Sequence, residues 1–271
     1  MSEKTAETLL SDHKNQQIIS GSEPIFIDQG NAAFLFLHGF SGSPYEGREF
    51  AAYFAEKGYA VWVPLLPAHG TDPAEMEQIH YREWLIAVEE YYAAISEKYD
   101  QVIVCGQSMG GALALHLAAN YPMAGVISLA GAIFIRDRRV KYLQVLRWLK
   151  PYHLKLTGPD IRDPQAKANS AAYDRYPTKS IIQLIRMIRK IKAELPKITC
   201  PCLLIHSRQD HTILYESMAY IAGRVSSKIV DTLTLEESYH VISVDQERAK
   251  IFQKIDSFLT SIDFPKSIRN A

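Results

Sequence analysis

Short apolar runs alternate along the chain with stretches in which apolar residues recur every three or four positions. The runs predict strands and the stretches predict helices, because these are the two side-chain periodicities of the elements. Their alternation is typical of a mostly parallel sheet covered by helices. The predicted strands are Ala33–His38, Ala60–Val63, Val102–Cys105, Gly125–Leu129, Cys202–His206 and Lys228–Leu235. The predicted helices are Tyr45–Lys57, Ile79–Lys98, Gly110–Asn120 and Asp245–Thr260.

The stretch from Phe134 to Lys197 breaks this alternation, with two basic amphipathic helical patterns and no clear strand. Between Arg136 and Lys197 there are 16 basic and 5 acidic residues, a net charge of +11. We predict a helical cap at 134–197, inserted into an α/β core at 19–133 and 198–271 and preceded by an N-terminal extension at 1–18. The basic helices either form ordinary solvated surface or attract anionic substrates or lipid surfaces, the latter through weak contact.

Composition narrows the class of protein. The 271 residues are 47% apolar, and 30 basic residues balance 30 acidic ones, which is typical of a globular protein and gives no hint of a nucleic-acid partner. The N-terminus has no apolar segment of a secretory signal, and the longest apolar run, Met123–Ile135, is shorter than the ~18–20 residues that cross a bilayer. We expect Cys105, Cys200 and Cys202 to be structural thiols and the location to be cytoplasmic.

The segment Gly106–Gly110 matches the G-x-S-x-G pattern of a nucleophile elbow. The apolar run Val-Ile-Val-Cys precedes it and an apolar helical pattern follows, which is the strand–turn–helix context that the motif requires. Glycines on either side of the serine permit the crowded backbone of such a turn. We therefore predict Ser108 as the nucleophile. The alternative is a glycine-rich turn that carries an ordinary serine.

Attack on an ester carbonyl creates an oxyanion, which needs backbone N–H donors that are already in place. In a nucleophile elbow one donor is the residue after the serine, here Met109. The second comes from the loop after an earlier strand, here the run HGFSGSP, and we assign it to Phe40. The alternative is that His38 and Gly39 only shape a turn.

The serine needs a base, and chain order in this fold is serine, acid, histidine. The histidines after Ser108 are His116, His153, His206, His211 and His240. His240 follows the last predicted strand in a loop, where side chains at the carboxyl ends of strands meet ligands, so it is the preferred base. His206 ends an apolar run and is expected to be a core or rim side chain.

The acid that orients the base is predicted to be Asp210, which follows the strand Cys202–His206 by a few residues. Asp231, Glu236 and Glu237 are rivals by chain order, but the first lies in a predicted strand and the other two fit a solvated loop. The predicted chemistry is an acyl-enzyme on Ser108 that water then hydrolyses. No His, Cys or carboxylate cluster has metal-ligand spacing, so metal catalysis is not expected.

Four blocks, HGFSGSP, GQSMGG, LLIHSRQD and SYHVISVDQ, together resemble the bacterial carboxylesterase and monoacylglycerol-lipase family of α/β-hydrolases. The resemblance runs from about residue 25 to residue 259. It implies an α/β-hydrolase fold with a small helical cap and activity on short- to medium-chain esters or monoacylglycerols without a cofactor. The site residues that it implies are Phe40 and Met109 as oxyanion donors and Ser108, Asp210 and His240 as the triad.

Two positions depart from the pattern of the family. Ala68 stands where relatives have the first glycine of Gly-His-Gly, and His211 follows Asp210 where relatives often have Val-Pro. Neither change touches a catalytic atom, but both affect loops that shape substrate choice. The same triad could also hydrolyse a thioester, an amide or a carbon–carbon bond, and the chain could be a non-catalytic binder on a hydrolase scaffold.

Overall fold

The computed structural model describes residues 17–137, 151–154 and 157–265. Within these residues the strands are β1 Ile25–Ile27, β2 Ala32–Leu37, β3 Ala60–Val63, β4 Gln101–Gln107, β5 Gly125–Leu129, β6 Tyr152–Leu154, β7 Arg175–Pro177, β8 Cys202–Ser207 and β9 Val230–Leu235. Seven of them form one sheet in the order β1-β3-β2-β4-β5-β8-β9, and β6 and β7 form a hairpin. Every neighbouring pair in the large sheet is parallel except β1 with β3. The sheet is therefore mostly parallel, as predicted.

Helices cover both faces of this sheet. They are α1 Arg48–Glu56, α2 Pro73–Gln78, α3 Tyr81–Lys98, α4 Met109–Asn120, α5 Pro164–Asn169, α6 Thr178–Glu194, α7 Glu216–Ala222 and α8 Arg248–Ser261. Alternate residues of β2 reach opposite cores: Leu35 packs in a cluster with α3, α4 and α6, and Phe34 packs in a cluster with α1 and α8. Every residue of β2 is buried because both faces are covered.

The predicted elements are present, with shifts at their ends. The helix predicted at Tyr45–Lys57 begins as a separate 3₁₀ turn, Pro44–Gly47, before α1, because proline sets the backbone of the first turn. Strand β4 continues to Gln107, directly before the serine of the elbow. The short elements β1, α2 and α7 had no predicted counterpart, since few residues carry too little periodicity to be recognised.

The region predicted as a cap contains β6 and β7, which form an antiparallel hairpin, so the expectation of no strand there was wrong. The second basic helical pattern is α6, which confirms that prediction, and its Met187 and Ile191 are fully buried in the core shared with α4. The first basic pattern falls mainly at 138–150 and the N-terminal extension mainly at 1–16, both outside the described residues. The division into cap and core stays a prediction.

All three cysteines are free thiols. Burial raises the pKa of the Cys105 thiol in β4 well above its ordinary value, so this group stays protonated and unreactive. Across residues 17–137, 151–154 and 157–265, no helix is long and apolar enough to cross a membrane. In the same residues no group of three or more His, Cys, Asp or Glu side chains is arranged to hold a metal ion.

Candidate active site

Ser108 lies at the sharp turn between β4 and α4, with φ 56° and ψ −111°. This left-handed conformation is strained for a residue with a side chain, and such strain is typical of functional sites. A Cβ on Gly106 would lie 2.2 Å from the backbone of Gly110, and a Cβ on Gly110 would lie 1.9 Å from the Leu37 carbonyl oxygen. Both positions therefore require glycine, because β4, α4 and β2 approach one another there without room for a side chain.

The structure brings the three predicted triad residues together. Ser108 Oγ lies 2.8 Å from His240 Nε2, and His240 Nδ1 lies 2.7 Å from Asp210 Oδ2. All three side chains are buried, and they come from the turn after β4 and from the loops after β8 and β9. The carboxyl ends of parallel strands meet at one edge of a sheet, which is why residues so far apart in sequence become neighbours.

The Asp210 carboxylate is held from several sides. Its Oδ1 accepts the backbone N–H groups of Thr212 and Ile213, each at 2.7 Å. Its Oδ2 faces His240 and also lies 3.1 Å from Nε2 of His206. Burial acts to raise the pKa of Asp210, but the electrostatic attraction and hydrogen bond of His240, together with the nearby His206, outweigh it and lower this pKa. Asp210 is therefore ionised and oriented.

The loop that carries His240 is held by hydrogen bonds to the elbow and to the predicted cap. The Gln107 side-chain amide donates to the His240 carbonyl at 2.8 Å, and the His240 N–H donates to the Asp160 carbonyl at 3.0 Å. Burial disfavours protonation of the imidazole, but the charge of Asp210 and the hydrogen bond to it outweigh burial, so the pKa of His240 is raised. A raised pKa makes His240 a stronger base for the Ser108 proton.

The pKa of His240 predicts the acid limb of the pH profile. The base must be neutral to accept a proton, so kcat/KM should fall as pH drops through a midpoint above 6.5, the ordinary value for histidine. The measurement is kcat/KM for a neutral ester, followed by pH-stat titration. Enzyme held at each pH and returned to neutral pH for assay controls for unfolding. A midpoint below 6.5 would contradict the geometry at Asp210.

The two predicted oxyanion donors border the serine. Met109 is the first residue of α4, where backbone N–H groups have no helical acceptor. A Cβ on Gly39 would lie 3.4 Å from the Ser108 Cβ, so the backbone that leads into Phe40 runs beside the nucleophile. Within the described part of the chain, neither the Phe40 N–H nor the Met109 N–H donates a hydrogen bond to the protein. Both remain able to bind a developing oxyanion.

The rival bases are engaged elsewhere. His116 is buried between two carboxylates, with Nδ1 2.7 Å from Glu194 and Nε2 3.0 Å from Glu89. His211 is exposed and binds the Asp160 carboxylate at 2.9 Å. Neither contacts Ser108, whereas His240 Nε2 lies 2.8 Å from Ser108 Oγ.

The remaining rivals also lie away from the nucleophile. His153 belongs to β6, where its ring stacks on Tyr176. The acids Asp231, Glu236 and Glu237 pair with basic side chains at the surface. None of these acids contacts His240.

Three side chains of the site were not predicted. Gln107 occupies a free position of the elbow motif, and nothing in the motif indicates its bond to the His240 loop. His206 was expected in the core or rim, and it is buried but faces Asp210. Glu46 accepts the Gly39 N–H at 2.6 Å, and its only sequence signal is an acid that closely follows a loop rich in glycine and serine.

Comparison with known proteins places this geometry in a family. A family model described as "Serine aminopeptidase, S33" matches residues 28–247. The chain is 32% identical over 238 residues to the thermostable monoacylglycerol lipase of Bacillus sp. (strain H-257), covering 88% of this chain and 94% of that protein. It is 28% identical over 243 residues to the carboxylesterase of Bacillus subtilis (strain 168), covering 89% of this chain and 98% of that protein.

Solved structures agree with the sheet and helices described above. A structure from work on LipS and LipT, two metagenome-derived lipolytic enzymes, matches with a TM-score of 0.85 and 30% identity, covering 90% of this chain and 100% of that one. The monoacylglycerol lipase of Paleococcus ferrophilus has the same fold, with a TM-score of 0.75, 18% identity and coverage of 88% and 98%. The chain therefore belongs to the α/β-hydrolase family described as serine aminopeptidase, S33, and its resemblance to bacterial carboxylesterases and monoacylglycerol lipases is confirmed.

Proposed function

We propose that the protein is a serine carboxylic-ester hydrolase with Ser108, His240 and Asp210 as its catalytic triad. The observation that carries the proposal is the continuous line of hydrogen bonds from the Ser108 hydroxyl through His240 to the buried Asp210 carboxylate. Two relatives named for ester hydrolysis, a monoacylglycerol lipase and a carboxylesterase, support the choice of bond. A cytoplasmic location stays a prediction.

In the first half of the reaction His240 Nε2 accepts the Ser108 proton as Oγ attacks the ester carbonyl. The carbonyl oxygen becomes an oxyanion beside the N–H groups of Phe40 and Met109, and the partial positive charge at the start of α4 favours it. His240, paired with Asp210, then donates the proton to the leaving alkoxide. An alcohol departs, and the acyl group remains bound to Ser108 as an ester.

The second half repeats these steps with water as the nucleophile. His240 accepts a proton from water, and the resulting hydroxide attacks the acyl-enzyme carbonyl. The tetrahedral species collapses, His240 returns the proton to Ser108 Oγ, and the carboxylic acid leaves. One ester and one water give one acid and one alcohol, with no metal or redox partner in the balance.

A substrate panel tests which bond is cleaved. We expect short- to medium-chain p-nitrophenyl esters and monoacylglycerols to give the highest kcat/KM, followed by acyl thioesters. Amino-acid p-nitroanilides, the substrates that an aminopeptidase would prefer, should react about 100-fold or more slowly, because an amine is a poor leaving group whose departure requires protonation.

The panel distinguishes the alternatives directly. Faster cleavage of the anilides, thioesters or a carbon–carbon bond substrate than of every ester would reassign the reaction while leaving the triad in place. Absence of turnover on every substrate, together with no labelling by a fluorophosphonate, would favour a non-catalytic binder. Acyl chains of two to twelve carbons, assayed below the solubility limit, give the length preference of the acyl pocket.

We also propose that the basic region near α6 makes weak contact with anionic lipid surfaces. Lys192 Nζ lies 3.9 Å from the centre of the Phe134 ring, and Arg224 lies 3.6 Å from the centre of the Tyr220 ring. Burial, then the neighbouring Arg224 and Arg189, lower the pKa of Lys192. Among the described residues, no carboxylate forms an ion pair with Lys192, Arg189 or Arg224. Such a cluster favours an external anion.

Vesicle sedimentation tests this contact. The protein should bind phosphatidylglycerol vesicles at low salt and release them at about 0.5 M salt, because screening shortens the range of the attraction. It should not bind phosphatidylcholine vesicles, which carry no net charge. The double variant Arg189→Gln with Arg224→Gln should bind less, and Lys57→Gln, which removes a cation already paired with Asp256 at 2.9 Å, should not change binding. Binding that is independent of lipid charge and salt would reject the proposal.

A further inference from the structure

Glu46 is a buried carboxylate that lies against the loop of the second oxyanion donor. Its side chain belongs to the 3₁₀ turn that precedes α1, and the residue is 6% exposed. The Gly39 N–H donates to Glu46 Oε2 at 2.6 Å. Gly39 directly precedes Phe40, so this hydrogen bond acts one residue away from the donor assigned to the oxyanion.

The peptide group that carries the Phe40 N–H is held through its carbonyl oxygen, which belongs to Gly39. That oxygen accepts the Gly42 N–H at 3.1 Å and lies 3.0 Å from His38 Nδ1. In a trans peptide the C=O and the N–H point in opposite directions, so fixing the Gly39 carbonyl also fixes the direction of the Phe40 N–H. Glu46 holds the other end of the same residue.

The tautomer of His38 fits this arrangement. Its Nε2 accepts the Leu66 N–H at 3.1 Å, so the ring proton is on Nδ1 and donates to the Gly39 carbonyl. Burial, with a smaller contribution from His69, lowers the pKa of His38 well below its ordinary value, which keeps the ring neutral. Both sides of the loop are therefore bound by side chains that cannot rotate without breaking a buried hydrogen bond.

The loop is shaped around the carboxylate. A Cβ on Gly42 would lie 2.0 Å from Glu46 Oε1, and a Cβ on Gly39 would lie 3.2 Å from Glu46 Oε2. Glycine at 42 therefore leaves the space that the carboxylate occupies. The charge of Glu46 also reaches the base, since it contributes to the raised pKa of His240.

We propose that Glu46 is a positioning residue whose carboxylate holds the Gly39 N–H and thereby keeps the Phe40 N–H aimed at the oxyanion. The proposal rests on the assignment of Ser108 as nucleophile and of Phe40 as a donor. Glu46 does not touch the substrate. It acts through the loop backbone, and its charge adds to the basicity of His240.

Two variants separate the hydrogen bond from the charge. Glu46→Ala removes the acceptor, so kcat should fall about 10- to 100-fold with KM nearly unchanged. This loss is smaller than the ~10²- to 10³-fold fall in kcat that follows removal of a whole oxyanion donor, because the Phe40 N–H is misaimed and not absent. Glu46→Gln keeps an acceptor oxygen and should retain kcat within about threefold. In Glu46→Gln the acid limb of kcat/KM should move to lower pH, because the variant removes the negative charge of Glu46 that helps to raise the pKa of His240 and keeps those of Asp210 and Asp160.

Inhibition by an acyl trifluoromethyl ketone gives a readout that a purely structural role would not move. Ser108 adds to this ketone, and the adduct places an oxyanion where the transition state has one. The inhibition constant should rise in Glu46→Ala by the same factor by which kcat/KM falls. Titration with a fluorophosphonate counts the active sites, so a folded fraction below one does not imitate a lower kcat.

Glu49→Ala is the matched control, because Glu49 lies three residues further on, is partly exposed and pairs with Arg248 at the surface. It should leave kcat, the pH limb and the inhibition constant unchanged. Glu46→Ala with wild-type kcat per titrated site, or a fall in kcat without a matching rise in the inhibition constant, would overturn the proposal. Wild-type turnover in Ser108→Ala would instead remove the proposed function on which it rests.

Discussion

Ser108→Ala is expected to lower kcat/KM for every cleaved ester by about 10⁴-fold or more, because the variant has no nucleophile and no acyl-enzyme can form. His240 would remain 2.7 Å from Asp210 but would have no hydroxyl to deprotonate. The measurement is steady-state hydrolysis of the best ester of the panel. Mass spectrometry after reaction with a fluorophosphonate should show one adduct, on Ser108, in the wild type and none in the variant.

The variant should fold, so a loss of activity can be assigned to chemistry. Alanine has the same Cβ as serine and adds no strain at φ 56°, and the Ser108 hydroxyl makes no cap hydrogen bond to α4. Ser128→Ala is a matched control, since Ser128 is a buried serine of β5 whose hydroxyl has no hydrogen-bond partner in the described structure. It should keep near-normal turnover. Near-normal turnover in Ser108→Ala would overturn the nucleophile assignment.

Asp210→Asn is expected to lower kcat by about 10³- to 10⁴-fold although it keeps the shape of the side chain. The N–H groups of Thr212 and Ile213 both point at Oδ1, so the amide oxygen of asparagine must take that place. The amide NH₂ then faces His240 Nδ1, which can only accept. The imidazole proton moves to Nε2, and the nitrogen that faces Ser108 can no longer act as a base.

The control for this variant is Asp231→Asn, at the rival acid in β9 that pairs with Lys254 at 2.7 Å near the surface. Loss of such an exposed pair should change kcat by less than about twofold. The residual activity of Asp210→Asn should rise with pH, since hydroxide can replace the missing base. If Asp210→Asn kept wild-type kcat and Asp231→Asn lost it, the acid would be reassigned.

The elbow was predictable because its geometry is local. About a dozen consecutive residues contain the strand, the turn, the start of the helix and the two glycines around Ser108. The structure shows why each glycine is needed. The parallel sheet was predictable for a related reason, since both its faces are covered and its strands are short apolar runs. The ends of the predicted strands and helices differ from the observed ends by at most three residues, because local capping contacts decide where an element begins and ends.

The choice of His240 among five histidines needed a rule about the order of elements in the fold. The residues around it, SYHV, do not by themselves mark His240 as the base. In the same way, neither the apolar residue before His206 nor the acid before His211 excludes those two histidines. The structure separates them by distance, since only His240 places a ring nitrogen 2.8 Å from Ser108 Oγ. His206 instead lies beside Asp210, a contact that the predicted core role did not include.

Patterns along the chain thus sufficed to determine the class of fold and to propose a nucleophile with a short set of partners, because each depends on neighbouring residues or on the order of strands. The support of the site depended on folding. Gln107 reaches His240 across 133 positions, and Glu46 reaches Gly39 only because the loop turns back on itself. Hydrogen bonds form between groups that packing brings within 3 Å, and a linear pattern of polar and apolar residues does not encode that distance.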